Sequence, residues 1–175
     1  ASAAGAATAG SYGIEVRQLA QPEQLLSKAF AGGATAATGT GTLHISLGNG
    51  GFDVAVQAGA NTLANVRDVI NGAKDNPGVH ATLIYGVGGA QLVLSSAQTG
   101  AANTIRVSAS GGDGGLAQLA YDGTPGGNYT EALKAQDAIA IISGVEHHSA
   151  SNVLDQAIDG VTVNLKTAKP GTSVT

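Results

Sequence analysis

Thr42-Leu43-His44-Ile45-Ser46-Leu47-Gly48-Asn49-Gly50-Gly51-Phe52-Asp53-Val54-Ala55-Val56 is the stretch on which the fold turns. Leu43, Ile45 and Leu47 alternate with Thr42, His44 and Ser46. Phe52, Val54 and Val56 repeat the alternation beyond Gly48-Asn49-Gly50-Gly51. Alternation with period two sends successive side chains to opposite faces of a strand. Asn-Gly supplies positive φ at little cost, so the stretch predicts a β-hairpin.

Downstream, Asn61 or Thr62 caps a predicted helix whose Leu63, Val66, Ile70 and Ala73 recur at spacings of three and four. Asn76-Pro77-Gly78 ends it as a turn. Strands follow at 79–85, 91–96 and 104–109, punctuated by Gly86-Val87-Gly88-Gly89 and Gln98-Thr99-Gly100. Residues 42–109 therefore read β-β-α-β-β-β, one helix laid on an antiparallel sheet.

Upstream, residues 31–41 carry only Ala, Gly and Thr and read as a crossing linker. Residues 19–30 stay open between a helix starting after Pro22 and an irregular strand. Tyr12, Ile14 and Val16 alternate as a strand, and 1–10 read as a flexible linker. Toward the C-terminus, Gly111-Gly112-Asp113-Gly114-Gly115 and Thr124-Pro125-Gly126-Gly127 bracket a poorly patterned return. A short helix at 131–137, a strand at 138–142, a turn at Ser143-Gly144 and a strand at 161–166 complete the reading. Asn152-Val153-Leu154 echoes Asn61-Thr62-Leu63, which suggests a second Asn-capped helical turn.

The expected class is α+β and β-rich. It comprises two small domains of antiparallel strands with one or two short helices, the outer domain inserted into the inner one. The linker-like zones place 11–37 and 128–175 in the inner domain and 38–127 in the outer.

Composition narrows the chemistry. The 175 residues include 27 Gly and no Cys, Met or Trp, and only 11% are charged. Without Cys there is no disulfide framework, thiolate metal site or cysteine nucleophile. A net charge of −4 with 8 Lys and Arg argues against nucleic acid and a basic membrane-surface helix. No apolar run reaches the ~20 residues of a membrane helix. The first ten residues lack the basic start and apolar centre of a secretory signal.

No motif rises to an active site. His147 and His148, adjacent on a strand, face opposite ways and cannot share one metal without a bend. His44 and His80 fall on strand faces. Gly86-Val87-Gly88-Gly89 leads into a strand rather than a helix, so no helix N-terminus is there to hold a phosphate. Gly111-Gly112-Asp113-Gly114-Gly115 lacks the Lys-Ser/Thr ending of a P-loop. Asp68 is expected on the helix exterior, and Asp113, Asp122 and Asp159 sit beside turn glycines. Aromatic platforms for sugar are scarce: Tyr12, Phe30, Phe52, Tyr85, Tyr121 and Tyr129 are the complete set. No Gly-x-Ser-x-Gly elbow is present. Asn128-Tyr129-Thr130 is a formal glycosylation sequon. No catalytic, cofactor-binding or metal residue is assigned, no cofactor is expected, and the interface residues stay unassigned.

Five blocks in order carry a family resemblance. They are Tyr12-Gly13-Ile14-Glu15-Val16-Arg17-Gln18-Leu19-Ala20-Gln21 continuing to Leu25, Ser27 and Phe30; Gly39-Thr40-Gly41-Thr42-Leu43-His44-Ile45 with Leu47-Gly48; and Asn61-Thr62-Leu63 through Val66-Arg67-Asp68-Val69-Ile70-Asn71. The last two are Gln91-Leu92-Val93-Leu94-Ser95-Ser96 with Thr99-Gly100 and Asn103-Thr104-Ile105, and Ala135-Gln136-Asp137-Ala138 leading to Ser151-Asn152, Ile158-Asp159-Gly160-Val161-Thr162-Val163 and Leu165. Together they resemble the head region of bacterial flagellar filament cap proteins, also called flagellar hook-associated protein 2 or FliD.

The resemblance implies an outer head domain inserted into an inner one, with the helical leg and coiled-coil-forming termini absent. The lack of Met fits an excised head. It implies a structural, non-enzymatic, extracellular protein at the flagellum tip, working in flagellum assembly and motility. Such a cap forms a homo-oligomeric ring and promotes flagellin folding and insertion. It leaves by the flagellar type III route without a cleaved signal peptide. The implied partners are copies of itself, flagellin and an export chaperone at the missing C-terminus, with no nucleic acid and no membrane. The isolated fragment could be monomeric. An alternative is an extracellular adhesin or glycan-binding β-rich module acting in cell adhesion, which a polar pocket with clustered aromatics would mark.

Overall fold

The computed structural model describes the chain from Ala1 to Thr175 apart from Ala6, Thr8, Ala9 and Pro125. Its elements in chain order are β1 (Ser2–Ala3), β2 (Ile14–Gln18), β3 (Pro22–Ser27), β4 (Gly41–Leu47), β5 (Gly50–Val56), α1 (Leu63–Gly72), β6 (Val79–Gly86), β7 (Gly89–Thr99) and β8 (Ile105–Ser110). They continue with β9 (Tyr129–Leu133), β10 (Ala138–Ile142), β11 (Val145–Ser149), β12 (Val153–Ile158), β13 (Val161–Asn164) and β14 (Ser173–Val174). Short 3₁₀ turns lie at Gly33–Thr35 and Gly115–Leu119. The class is the expected one, strand-rich with antiparallel sheets and one α-helix.

The chain divides into two compact units. Unit 1 is Ala1–Pro22, Gln98–Ala102 and Ala135–Thr175, and unit 2 is Glu23–Ala97 and Asn103–Lys134. The linker-based division placed its boundaries at 37/38 and 127/128; the compact units divide at 22/23, 97/98, 102/103 and 134/135, with β3 and β9 in a sheet of unit 2.

In unit 2, β4 pairs with β5 on one side and β8 on the other. The hairpin forms as predicted, but its left-handed residue is Gly48 (φ 55°), and Asn49 does not adopt positive φ. A glycine first in a two-residue loop suits the right-handed twist of the strands. Leu43, Ile45, Leu47, Phe52, Val54 and Val56 all point into the core. Thr62, rather than Asn61, caps α1: its hydroxyl accepts from the Asn65 N–H, and the Asn65 side-chain oxygen accepts from the Thr62 N–H, each at 3.2 Å. Leu63, Val66 and Ile70 bury the inner face of the helix, and Asp68 is exposed.

The single sheet expected over 42–109 is two. β6 and β7 leave the β5-β4-β8 sheet and form a second one with order β6-β7-β3-β9. The open choice at 19–30 resolves as the strand β3, and the helix expected at 131–137 is instead the strand β9. Glu, Ala and Leu in β9 favour helix as isolated residues, but pairing with β3 overrides that weak preference. Residues 31–41 are more than a linker. Thr38 is fully buried, and its N–H and hydroxyl both donate to the Asn61 carbonyl, at 2.8 and 2.9 Å. In the poorly patterned return, Leu116 and Leu119 are fully buried and Tyr121 pairs with Val107.

β3 lies alternately in and out of the core, and its three inward residues are Glu23, Leu25 and Ser27. The Ser27 hydroxyl accepts from the Leu92 N–H at 2.8 Å and donates to the Lys28 carbonyl at 2.8 Å. The Glu23 carboxylate accepts from the Ile105 N–H.

In unit 1, β11-β10-β2-β14 and β1-β13-β12 form two sheets. Ala20, Ala138, Ala140, Ile142, Leu154, Val163 and Leu165 make an aliphatic core without aromatic side chains. Ser143 and Gly144 both take positive φ in the predicted turn (49° and 88°). The linker expected at 1–10 is corrected at Ser2–Ala3, which pair with β13; Ala6, Thr8 and Ala9 of that stretch lie outside the described residues, as does Pro125 of the glycine-bracketed return. The second Asn-capped helical turn is also corrected. Asn152 accepts from Ala20 N–H (2.8 Å) and donates to Ala20 C=O (3.0 Å), and the strand β12 follows.

Two stability predictions follow from unit 2. Glu23 is 2% exposed, and burial pushes its carboxyl above the usual range. The Ile105 N–H and Arg106 oppose the rise, and the neighbouring Glu131 adds to it. A folded state that holds its proton more tightly loses that contribution as pH rises through the elevated value. Denaturant midpoints of Glu23→Gln and the parent between about pH 4 and about pH 8 are expected to diverge, the variant gaining on the parent as pH rises. A pH-independent difference would remove Glu23 as the source. Tyr129 is buried, packs edge-on against Tyr121 with ring centroids 5.7 Å apart, and its hydroxyl meets no hydrogen-bond partner among the described residues. Tyr129→Phe is expected to hold or raise stability, by up to about 1 kcal/mol, whereas loss of more than about 1 kcal/mol would show a bonded hydroxyl.

Candidate interaction surface

The titratable groups singled out in the sequence do not converge. His44 and Asp53 are cross-strand partners on the exposed face of the first sheet, Nδ1 to Oδ1 2.6 Å. His80 is exposed on β6. His147 and His148 are neighbours on β11, and His148 Nε2 lies 2.9 Å from Glu146 Oε1. Among the described residues no cluster of three or more His, Asp or Glu is placed to hold a metal ion.

The turn carboxylates hold backbone. Asp113 accepts from the N–H groups of Thr40 and Gly115, each at 2.9 Å, which keeps it below the usual carboxylate range. Asp122 is lowered in the same way by the Thr124 N–H at 2.8 Å. Glu15 is lowered first by the Gly171 N–H at 2.8 Å and then by Arg17. In the sequon, the Asn128 amide is spent on the carbonyls of Ala117 and Ala120, at 2.8 and 3.0 Å.

The glycine clusters serve close backbone approach. A Cβ on Gly112 would lie 1.9 Å from the Thr40 carbonyl oxygen, and one on Gly89 would lie 2.0 Å from that of Phe30. Both positions also require positive φ. The Gly89 loop leads into the strand β7 and the Gly112 loop only into the five-residue 3₁₀ turn Gly115–Leu119, so neither opens an α-helix that could hold an anion.

What the surface does offer is apolar. At the end of the β6–β7 hairpin, Ile84, Tyr85 and Val87 are 51%, 65% and 112% exposed. The signal for this patch was in the sequence: Leu83-Ile84-Tyr85 breaks the strand alternation with three apolar residues in a row. In unit 1 a depression of about 290 Å³ is lined by Tyr12, Ile142, Val145 and Ile158 among others. In unit 2 a depression of about 330 Å³ carries His44, Ser46, Arg106, Ser108, Tyr121 and Asp122. Phe30, Phe52, Tyr121 and Tyr129 are buried, and the two most exposed aromatics, Tyr12 and Tyr85, belong to different units. Tyr12 lines the first of these depressions and Tyr121 the second, so neither depression brings two aromatics together as a sugar platform would.

Comparison with known proteins agrees with the sequence resemblance. The model of the flagellin hook IN motif matches residues 42–98. The chain is 37% identical over 180 residues to B-type flagellar hook-associated protein 2 of Pseudomonas aeruginosa, covering 95% of this chain and 37% of that protein. It is 35% identical to the A-type protein of the same species, covering 90% of this chain and 36% of that protein. The chain thus spans little more than a third of these relatives. Among solved structures, FliD from P. aeruginosa superposes with a TM-score of 0.87 at 35% identity, covering 97% of this chain and 79% of that one. The D2–D3 domains of Escherichia coli FliD give 0.87 at 30% identity, covering 98% and 88%. Sequence and fold together show that the chain belongs to the flagellar hook-associated protein 2 (FliD) family of flagellar cap proteins and corresponds to its D2–D3 head domains.

Proposed function

We propose that this chain is the head of a flagellar filament cap, structural and non-enzymatic. In the complete protein it assembles with copies of itself into a ring at the filament tip and promotes folding and insertion of flagellin. The observation that carries the reading is the match of 98% of the chain to FliD D2–D3 at a TM-score of 0.87. The scattered titratable groups agree with a structural part, since catalysis needs convergent ones.

The chemistry of the chain suits the role. Few charged side chains reduce repulsion between identical copies. A chain without Cys can pass unfolded through the flagellar export route and refold outside without a disulfide step. An export chaperone acting on a C-terminal segment of the complete protein belongs to the same proposal. A ring closes through heterologous contacts, so two different patches of one copy must meet. Two compact units supply two such patches, and the ring contact joins unit 2 of one copy to unit 1 of the next.

Two measurements test this. Removing the full-length gene from a flagellated bacterium is expected to abolish filament growth and swimming, and its return to restore them; growth independent of the gene would refute the cap role. In the assembled full-length protein, paired cysteines introduced into the otherwise Cys-free head are expected to link unit 1 to unit 2 across neighbouring copies. Links between like units alone would refute the contact.

A further inference from the structure

β6 is an edge strand of the second sheet of unit 2, and its outer backbone is treated differently along its length. At Val79 the Asn76 side chain takes both groups, accepting from the N–H at 2.7 Å and donating to the C=O at 2.7 Å. At Ala81 the Asn71 side chain from α1 does the same, at 2.8 Å each. Two side-chain amides thus stand in for a neighbouring strand at successive outward-facing residues. Alternation puts Leu83 and Tyr85 next in that row, because Thr82 and Ile84 bond inward to Val93 and Gln91 of β7. Among the described residues no partner meets the outward N–H and C=O of Leu83 or Tyr85. Beside this open edge stand the exposed Ile84 and Tyr85.

Natural edges of this kind are blunted with charge, proline or a bulge. None is present along β6: residues 76–105 contain no Asp, Glu, Lys or Arg, Pro77 precedes the strand, and the β6–β7 register runs unbroken from Val79↔Ser96 to Gly86↔Gly89. An uncharged, regular edge meets no electrostatic penalty when it faces an identical copy. Its geometry is also self-complementary. In an antiparallel pair centred on Ile84, Leu83 of one copy exchanges both hydrogen bonds with Tyr85 of the other, and the reverse, giving four bonds about a two-fold axis. Ile84 then faces its own copy on one side of the pair, and Tyr85 packs against Leu83 on the other. Pairing ends at Ala81, where Asn71 already occupies the edge.

We propose that the outer edge of β6 at Leu83–Tyr85 is a self-pairing site, at which two copies of this chain join two continuous antiparallel sheets. The contact is two-fold and closes on itself, so it goes beyond the head-to-tail ring contact and does not depend on it.

The test uses the 175-residue chain, whose lack of Cys makes single-cysteine variants clean reporters. At the two-fold position the Cα atoms stand about 4.5 Å apart, within disulfide range. Ile84→Cys is therefore expected to form covalent dimers under mild oxidation at least about ten-fold faster than His80→Cys, an exposed site on the same face of the same strand. Tyr85→Pro removes an outward N–H and a side chain that is already 65% exposed, a change edge strands tolerate. It is expected to keep the circular dichroism spectrum of the parent and to abolish concentration-dependent dimerisation in sedimentation equilibrium. Equal oxidation rates at the two cysteines overturn the proposal. So does a parent chain that stays monomeric, whether or not it takes up an extended peptide of another sequence.

Discussion

The architecture of unit 2 depends on two side-chain hydrogen bonds that carry polar groups into an apolar interior. Ser27 Oγ accepts from Leu92 N–H, and the Glu23 carboxylate accepts from Ile105 N–H. Both donors belong to buried backbone, where an unmet N–H costs on the order of 1–3 kcal/mol. By meeting them, β3 locks against β7 and reaches toward the start of β8, and β9 is then added on its other edge. A strand with apolar residues at 23 and 27 would bury more carbon and leave two donors unmet. Sequence distance shows the demand this makes on folding: these contacts bridge 65 and 82 residues, so β3 cannot settle until the insertion has largely formed.

The same two residues explain where the sequence was hard to read. β4, β5 and α1 were legible because Leu43 to Leu47, Phe52 to Val56 and Leu63 to Ile70 place an apolar side chain at each inward position. In β3 two of three inward positions are polar, so the period-two signal vanished although the alternation is intact in space. The split into two sheets was hidden for another reason. Periodicity reports which face of a strand is buried, not which strand lies beside it, and β3 and β9 come from outside the 42–109 block. Asn152 misled by resembling a helix cap, while its amide bonds the backbone of Ala20.

At the surface, the family was readable from the order of short blocks. The glycine clusters read as loops, and the structure adds the cause: Gly89 and Gly112 lie where a carbonyl oxygen occupies the space of a Cβ. The open stretch of β6 was invisible in the sequence because it depends on Asn71 and Asn76 covering one part of an edge and not the next. In a protein proposed to work by assembling with its own copies, such uncovered backbone and the apolar side chains beside it carry the chemistry that catalytic groups carry in an enzyme.

Amide hydrogen exchange at Leu92 and Ile105 tests the central claim most directly. If buried side chains hold β3 in place, both amides exchange only on global unfolding of unit 2, as slowly as the Ile45 amide in the central strand β4 and the Val107 amide bonded to the Tyr121 carbonyl. Exchange at the rate of exposed loop amides, with Ile45 and Val107 still protected, would show that β3 opens on its own and that its polar groups do not hold the sheet.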